Sequence, residues 1–225
     1  MSTITIDNVQ NYFRIASKEQ SEKIFKKPQK YPFKYIVSIL DPPARRRDPN
    51  LIVGNREPKG MYAFYKATKA GPLLIKVHDN ERKEYEKYGK SWCPTKNDII
   101  QIIGYGKSIK NPCLFHCTSG VSLSASAAII AMASMFGRGK EKEIVEKAYQ
   151  IRGDIVPNLL MLRYADELLS TKEYTSRLEK IAAWKISPEY NLPESEKRKI
   201  KMPKKIDLRG IPQKIRVPGK KIRLS

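Results

Sequence analysis

Pro112-Cys113-Leu114-Phe115-His116-Cys117-Thr118-Ser119-Gly120-Val121-Ser122-Leu123-Ser124 carries more structural information than any other stretch of the chain. A short apolar run, 112–116, reads as a buried strand. Small residues and a glycine follow, which marks a tight loop. An Ala-rich segment then reads as a helix over 122–136, with Gly137 placed to end it. Strand, loop and helix in that order put Cys117 at a helix N-terminus. Backbone N–H groups there favour negative charge.

The same alternation extends outward. Tyr35-Ile36-Val37-Ser38-Ile39-Leu40 is a β-branched run closed by Asp41-Pro42-Pro43, a second buried strand. Apolar spacing from Gly60 to Ala70 suits a short helix, punctuated by Gly71-Pro72. Residues 72–77 form a third strand, ending at His78-Asp79. Thr95 caps a helix over 96–107 with Asp98 in its first turn. Helices over 140–152 and 158–170 follow. Strands alternating with helices predict an α/β fold with a mostly parallel sheet, and a site at the C-terminal ends of its strands. Residues 1–32 read as an N-terminal segment, with Ser17 capping a polar helix over 18–27. The domain runs over 33–170. Residues 171–186 form a linker helix with Trp184 as a docking anchor, and 187–225 an extended basic tail.

Charge sets the partner class. The chain has 44 basic and 23 acidic residues among 225, a net +21. That excess points to a polyanionic partner, nucleic acid before anionic membrane. Half of it lies in the tail: residues 197–225 hold twelve Lys and Arg against Asp207 alone. Lys197, Arg198, Lys199, Lys204, Lys205, Lys220, Lys221 and Arg223 are its polyanion-binding candidates, joined by Arg45, Arg46 and Arg47 in a loop. Prolines at 188, 193, 203, 212 and 218 keep the tail from building helices or central strands. No apolar run reaches the roughly 18 residues that span a bilayer. The N-terminus lacks a secretory pattern. Cys93, Cys113 and Cys117 form no disulfide framework, so a reducing intracellular compartment, organelle matrix or virion interior is expected. They share no metal-ligand spacing with His78 or His116, so no metal and no cofactor are assigned.

The 112–124 stretch resembles the catalytic loop of the cysteine-dependent protein tyrosine and dual-specificity phosphatases. That motif is His-Cys, five residues, Arg, then Ser or Thr. Residues 33–170 resemble the small bacterial type, with Ile151-Arg152-Gly153-Asp154-Ile155-Val156-Pro157-Asn158 similar to the segment that starts the family's last helix. The resemblance implies Cys117 as nucleophile, His116 depressing its pKa and shaping the loop, and Ser124 assisting the thiolate leaving group. It implies Asp79 as general acid. It implies that the N–H groups of Thr118, Ser119, Gly120, Val121, Ser122, Leu123 and Ser124 cradle phosphate. One element departs from the family: Leu123 stands where the motif has Arg. The Arg would hold two phosphate oxygens bidentately and stabilise charge in the transition state. Each such bond is worth roughly 1.5–3 kcal/mol, so its loss costs on the order of 10²–10⁴ in turnover.

Simpler readings stand beside these. Cys117 alone reads as a core cysteine, though its place after a strand and before a helix favours the phosphatase-like reading; Asp79 reads equally as a turn residue, and Arg45–Arg47 as a solvated loop. Arg152 and Arg163 lie outside the loop sequence. Either is long enough to reach in for the missing guanidinium, though salt bridging on a helix surface is the ordinary role. Three functions follow. The first is a catalytically inactive phosphatase-like protein serving as a structural component of a nucleic-acid-containing assembly, a ribonucleoprotein or virion, with neighbouring proteins held by the tail. The second is a working phosphatase acting on protein phosphotyrosine or a polyanionic phosphate. The third is a non-catalytic phosphate reader.

Overall fold

The computed structural model describes residues 3–40, 57–77, 93–171 and 175–187. Four strands form one all-parallel sheet: β1 (Phe13–Ala16), β2 (Tyr35–Leu40), β3 (Gly71–Lys76) and β4 (Cys113–His116). Their spatial order is β1-β4-β2-β3. A 3-10 turn at Val9–Asn11 precedes β1, and helices α1 (Lys18–Phe25), α2 (Met61–Thr68), α3 (Lys96–Ser108), α4 (Leu123–Phe136), α5 (Glu141–Ile151), α6 (Leu159–Leu169) and α7 (Leu178–Ile186) complete the described elements. Packing separates Met1–Ala182 as one unit from a second that starts at Ala183, inside α7.

Both faces of the sheet are covered, which is why β2 reads as an apolar run interrupted only by Ser38 rather than an alternation. On one face Ala16, Ile36 and Leu114 pack with Ile24, Phe25, Met61 and Phe64 of α1 and α2. On the other, α4 lies against β1, β2 and β4 and is itself flanked by α3, α5 and α6. Leu123 through Ala133 of α4 are all buried. A helix enclosed on every side needs small residues wherever neighbours come close, and its alanines and serines supply them.

α3 meets α4 at such a point. A Cβ added to Gly106 would sit 2.3 Å from Ser134 Oγ and 2.9 Å from the Ala131 Cα. Backbone therefore lies nearly against backbone.

The expected α/β architecture is present, and each expected strand and helix within 35–170 falls within a residue or two of its place. The N-terminal segment 1–32 differs from expectation. It supplies β1, an edge strand paired to β4 in the register Phe13↔Cys113 through Ala16↔His116. Phe13-Arg14-Ile15-Ala16 is only four residues long, with an exposed Arg inside it, so its local pattern is weak. The long-range partner decides it. Ser17 caps α1 as expected, in a full capping box with Gln20. The linker helix expected over 171–186 starts later, at Leu178. Asp166 of α6 fixes that start: its carboxylate accepts from Ser176 Oγ at 2.6 Å and from the N–H groups of Leu178 and Glu179 at 2.8 and 2.9 Å. His78, Asp79, Arg45–Arg47 and the tail from Pro188 lie outside the described residues.

Gly106→Ala is expected to destabilise the protein by about 1–3 kcal/mol, because overlap with Ala131 outweighs the gain in helix propensity. Urea denaturation of the two proteins measures it. Gly104, one turn-step away on the same helix with open space at its Cβ position, is the control: Gly104→Ala should be neutral or stabilising by up to about 1 kcal/mol.

Candidate phosphate-binding loop

The parallel sheet places the loop. β4 ends at His116, Cys117 donates its N–H to the Ala16 carbonyl at 3.4 Å, and the chain then turns into α4. Residues 117–122 form the turn between the C-terminal edge of the sheet and the N-terminus of the buried helix.

Cys117 is 3 % exposed. Its Sγ lies 3.1 Å from Ser124 Oγ in the first turn of α4. The Gly120 N–H donates to the same sulfur at 3.2 Å. Two polar groups, a side-chain hydroxyl and a backbone N–H of the loop, thus converge on the sulfur.

The loop's outer side is tied down by backbone. Lys18 N–H donates to the Thr118 carbonyl at 3.1 Å, and Val156 N–H to the Val121 carbonyl at 3.0 Å. With these carbonyls drawn outward, the intervening N–H of Gly120 is free to turn inward. Gly120 has φ +75°, and a Cβ on it would lie 2.4 Å from Ser17 N and 2.6 Å from the Ala16 carbonyl carbon. Only glycine fits there.

His116 is fully buried. Its Nε2 lies 2.6 Å from Ser38 Oγ, which is 2.9 Å from the Tyr65 hydroxyl. Its Nδ1 is buried without a hydrogen-bond partner. Burial lowers its pKa from 6.5 to about 3. The imidazole is therefore neutral, and it supports the loop by shape and hydrogen bonding rather than by charge. Burial likewise raises the pKa of the Tyr65 hydroxyl.

Leu123, the first residue of α4, is 4 % exposed. It is packed as a core residue. Arg163 is committed elsewhere, in a paired contact with Glu179 (Nη2 to Oε1 2.5 Å, Nε to Oε2 3.1 Å). Arg152 does approach the loop, but from behind. Its Nε bonds Asp154 Oδ1 at 2.8 Å, Nη1 bonds Gln20 Oε1 at 2.7 Å, and Nη2 bonds the Ser119 carbonyl at 3.4 Å. Salt bridging was the expected role of Arg152 and it is present, but the loop contact is added to it.

Ser38, Tyr65 and Gln20 had no functional signal in the sequence. Gln20 was visible only as the third residue of a capping box. Asn158 caps α6 through Oδ1 to the Met161 N–H at 3.0 Å, as the Ile151–Asn158 segment implied. A hollow of about 650 Å³ runs along β1 between Gln20 and Arg152, and no loop residue lines it. Among the described residues no cluster of His, Cys, Asp and Glu is arranged to hold a metal, and no helix is long and apolar enough to cross a membrane.

Solved structures similar to this chain include Tk-PTP in its active form, at 12 % identity, covering 69 % of this chain and 88 % of that one with a TM-score of 0.41. The Yvh1 phosphatase domain from Chaetomium thermophilum is 16 % identical, covering 63 % and 80 %, with a TM-score of 0.38. OH1 from the Orf virus, a tyrosine phosphatase with triple substrate specificity, is 12 % identical, covering 74 % and 86 %, with a TM-score of 0.41. No family model matches the chain, and no curated protein does.

Native His116 resists protonation until about pH 3, whereas unfolded His116 takes its proton near 6.5. Between those values the unfolded state binds the extra proton, so stability falls as pH drops, by up to about 1.4 kcal/mol per pH unit. His116→Gln, which cannot titrate, should lose this component. Denaturation of both proteins at about pH 7 and about pH 5 measures it. Equal pH slopes would show that folding does not lower the His116 pKa.

Proposed function

We propose that the protein is a catalytically inactive relative of the cysteine-dependent phosphatases, serving as a structural component of a nucleic-acid-containing assembly. Leu123 carries the first half of that reading. An apolar side chain buried at the first turn of α4 stands where a guanidinium would grip the phosphate. The described cation nearest the loop in hydrogen bonding, Arg152, contacts an outward carbonyl. Among the described residues, a phosphoryl group entering beside Cys117 would meet backbone donors and no bidentate clamp.

The second half rests on charge. A net +21 exceeds what a soluble enzyme needs and supports polyanion binding. Tail cations alternating with Ile200, Ile206, Leu208, Ile211, Ile215, Val217, Ile222 and Leu224 support contact with neighbouring proteins as well as phosphates. A purely solvated charge run would have no reason to interleave aliphatic residues.

Turnover of a small aryl phosphate tests the first half. The wild type should run about 10²–10⁴ below the rate an intact clamp would give, with Leu123→Arg faster than the wild type. A wild-type rate typical of tyrosine phosphatases, abolished by Cys117→Ser, would establish a working enzyme instead. For the second half, nucleic-acid affinity should fall by roughly 10³ between about 50 and 200 mM salt if six tail cations reach phosphates. Replacing Lys197, Arg198, Lys199, Lys204, Lys205, Lys220, Lys221 and Arg223 by Gln in the full chain should flatten that slope. An unchanged slope would move the interface to Arg45–Arg47.

A further inference from the structure

Ser119 and Gly120 share one peptide unit, and both ends of that unit are used. Its carbonyl accepts from Arg152 Nη2 at 3.4 Å. Its N–H donates to Cys117 Sγ at 3.2 Å. A guanidinium, a single peptide group and the sulfur are thus in series. The guanidinium is held for this position by two partners, Asp154 (2.8 Å) and Gln20 (2.7 Å), and its side chain is only 15 % exposed. Gln20 Oε1 also accepts the Ser17 N–H at 2.9 Å, so the α1 capping box fixes the same guanidinium. A Cβ on Gly120 would fall 2.6 Å from Arg152 Nη1, which shows how closely the two are packed.

We infer that Arg152 is a positioning residue that sustains the reactivity of Cys117 from behind the loop, through the Ser119–Gly120 peptide unit. A cation bonded to the carbonyl polarises the peptide and strengthens its N–H as a donor. It also fixes the orientation in which that N–H faces the sulfur. The Gly120 hydrogen bond to the sulfur is thereby held in place although Leu123 stands where the motif has Arg. The inference rests on the loop geometry of the proposed function, not on the absence of turnover. The groups around the sulfur are consistent with it. Ser124 donates or accepts at 3.1 Å, His116 is neutral, and the Ala16 carbonyl takes the Cys117 N–H. Asp154 is the countercharge that tempers the guanidinium.

Iodoacetamide alkylation of the full chain, followed at the Cys117 peptide by mass spectrometry, tests this. In Arg152→Gln the rate near pH 7 should fall about fivefold to tenfold, while the rate near pH 10.5, where any thiol is ionised, stays within about twofold of wild type. Arg152→Lys should lie between the two at pH 7. Asp154→Asn, which removes the countercharge, should react about twofold to threefold faster than wild type at pH 7, and this variant decides the matter if Arg152→Gln fails to fold. A wild-type rate in Arg152→Gln, an equal fall at both pH values, or a slower Asp154→Asn would each overturn the inference. Ordinary aryl phosphate turnover by the wild type would overturn the inactive reading and leave this one standing.

Discussion

Gly120 has no room for a side chain, and much of the molecule is arranged around that fact. The loop backbone is laid directly on the junction of β1 and α1, with the site of a Cβ within 2.6 Å of Ser17 N, the Ala16 carbonyl carbon and Arg152 Nη1. Contact this close is possible only at glycine with positive φ. It brings together segments far apart in sequence: the edge strand, the capped start of α1, the turn after β4, and the chain after α5. The loop is then hydrogen-bonded to each of the others: it donates from Cys117 to the Ala16 carbonyl of the edge strand and accepts from Lys18 of α1 and from Arg152 and Val156 after α5. The N-terminal strand is therefore part of the site and not an extension of the domain.

The opposite wall is made by burial. α4 is surrounded, and its first residues both close the loop and enter the core. Ser124 is fully buried yet satisfied by the Cys117 sulfur. His116, equally buried, shares Ser38 with Tyr65 and leaves Nδ1 unpartnered. An unpartnered buried nitrogen costs free energy that packing must offset. A neutral ring costs far less than an imidazolium would at that depth. The polar groups under the loop are consequently uncharged, and the described charge enters from the outside, at Arg152.

Elements whose signal is local were legible in the sequence. Tyr35–Leu40 was readable as a buried strand because both its faces are covered, and Thr95 with Asp98 announced α3. The loop was legible because His116-Cys117 falls between an apolar run and an Ala-rich helix. β1 was not, since a four-residue strand with Arg14 inside takes its identity from Cys113, a hundred positions on. Arg152 was named as able to reach the loop, but nothing local says from which side. That depends on Ser119 turning its carbonyl outward and on Gln20, 132 positions away, receiving the guanidinium. The delayed start of α7 was hidden for the same reason, because its cap is a carboxylate from α6.

These constraints also explain how the chain carries Leu at position 123. A clamp arginine works on a bound anion, so it is needed for binding and turnover. None of the hydrogen bonds that define the loop here runs through the side chain at 123. They run through backbone groups of Cys117, Thr118, Ser119, Gly120 and Val121, and through the side chains of Ser124 and Arg152. Leu123 can therefore join the core without disturbing the loop's restraints. Fold and chemistry are separable at this site because different atoms maintain them.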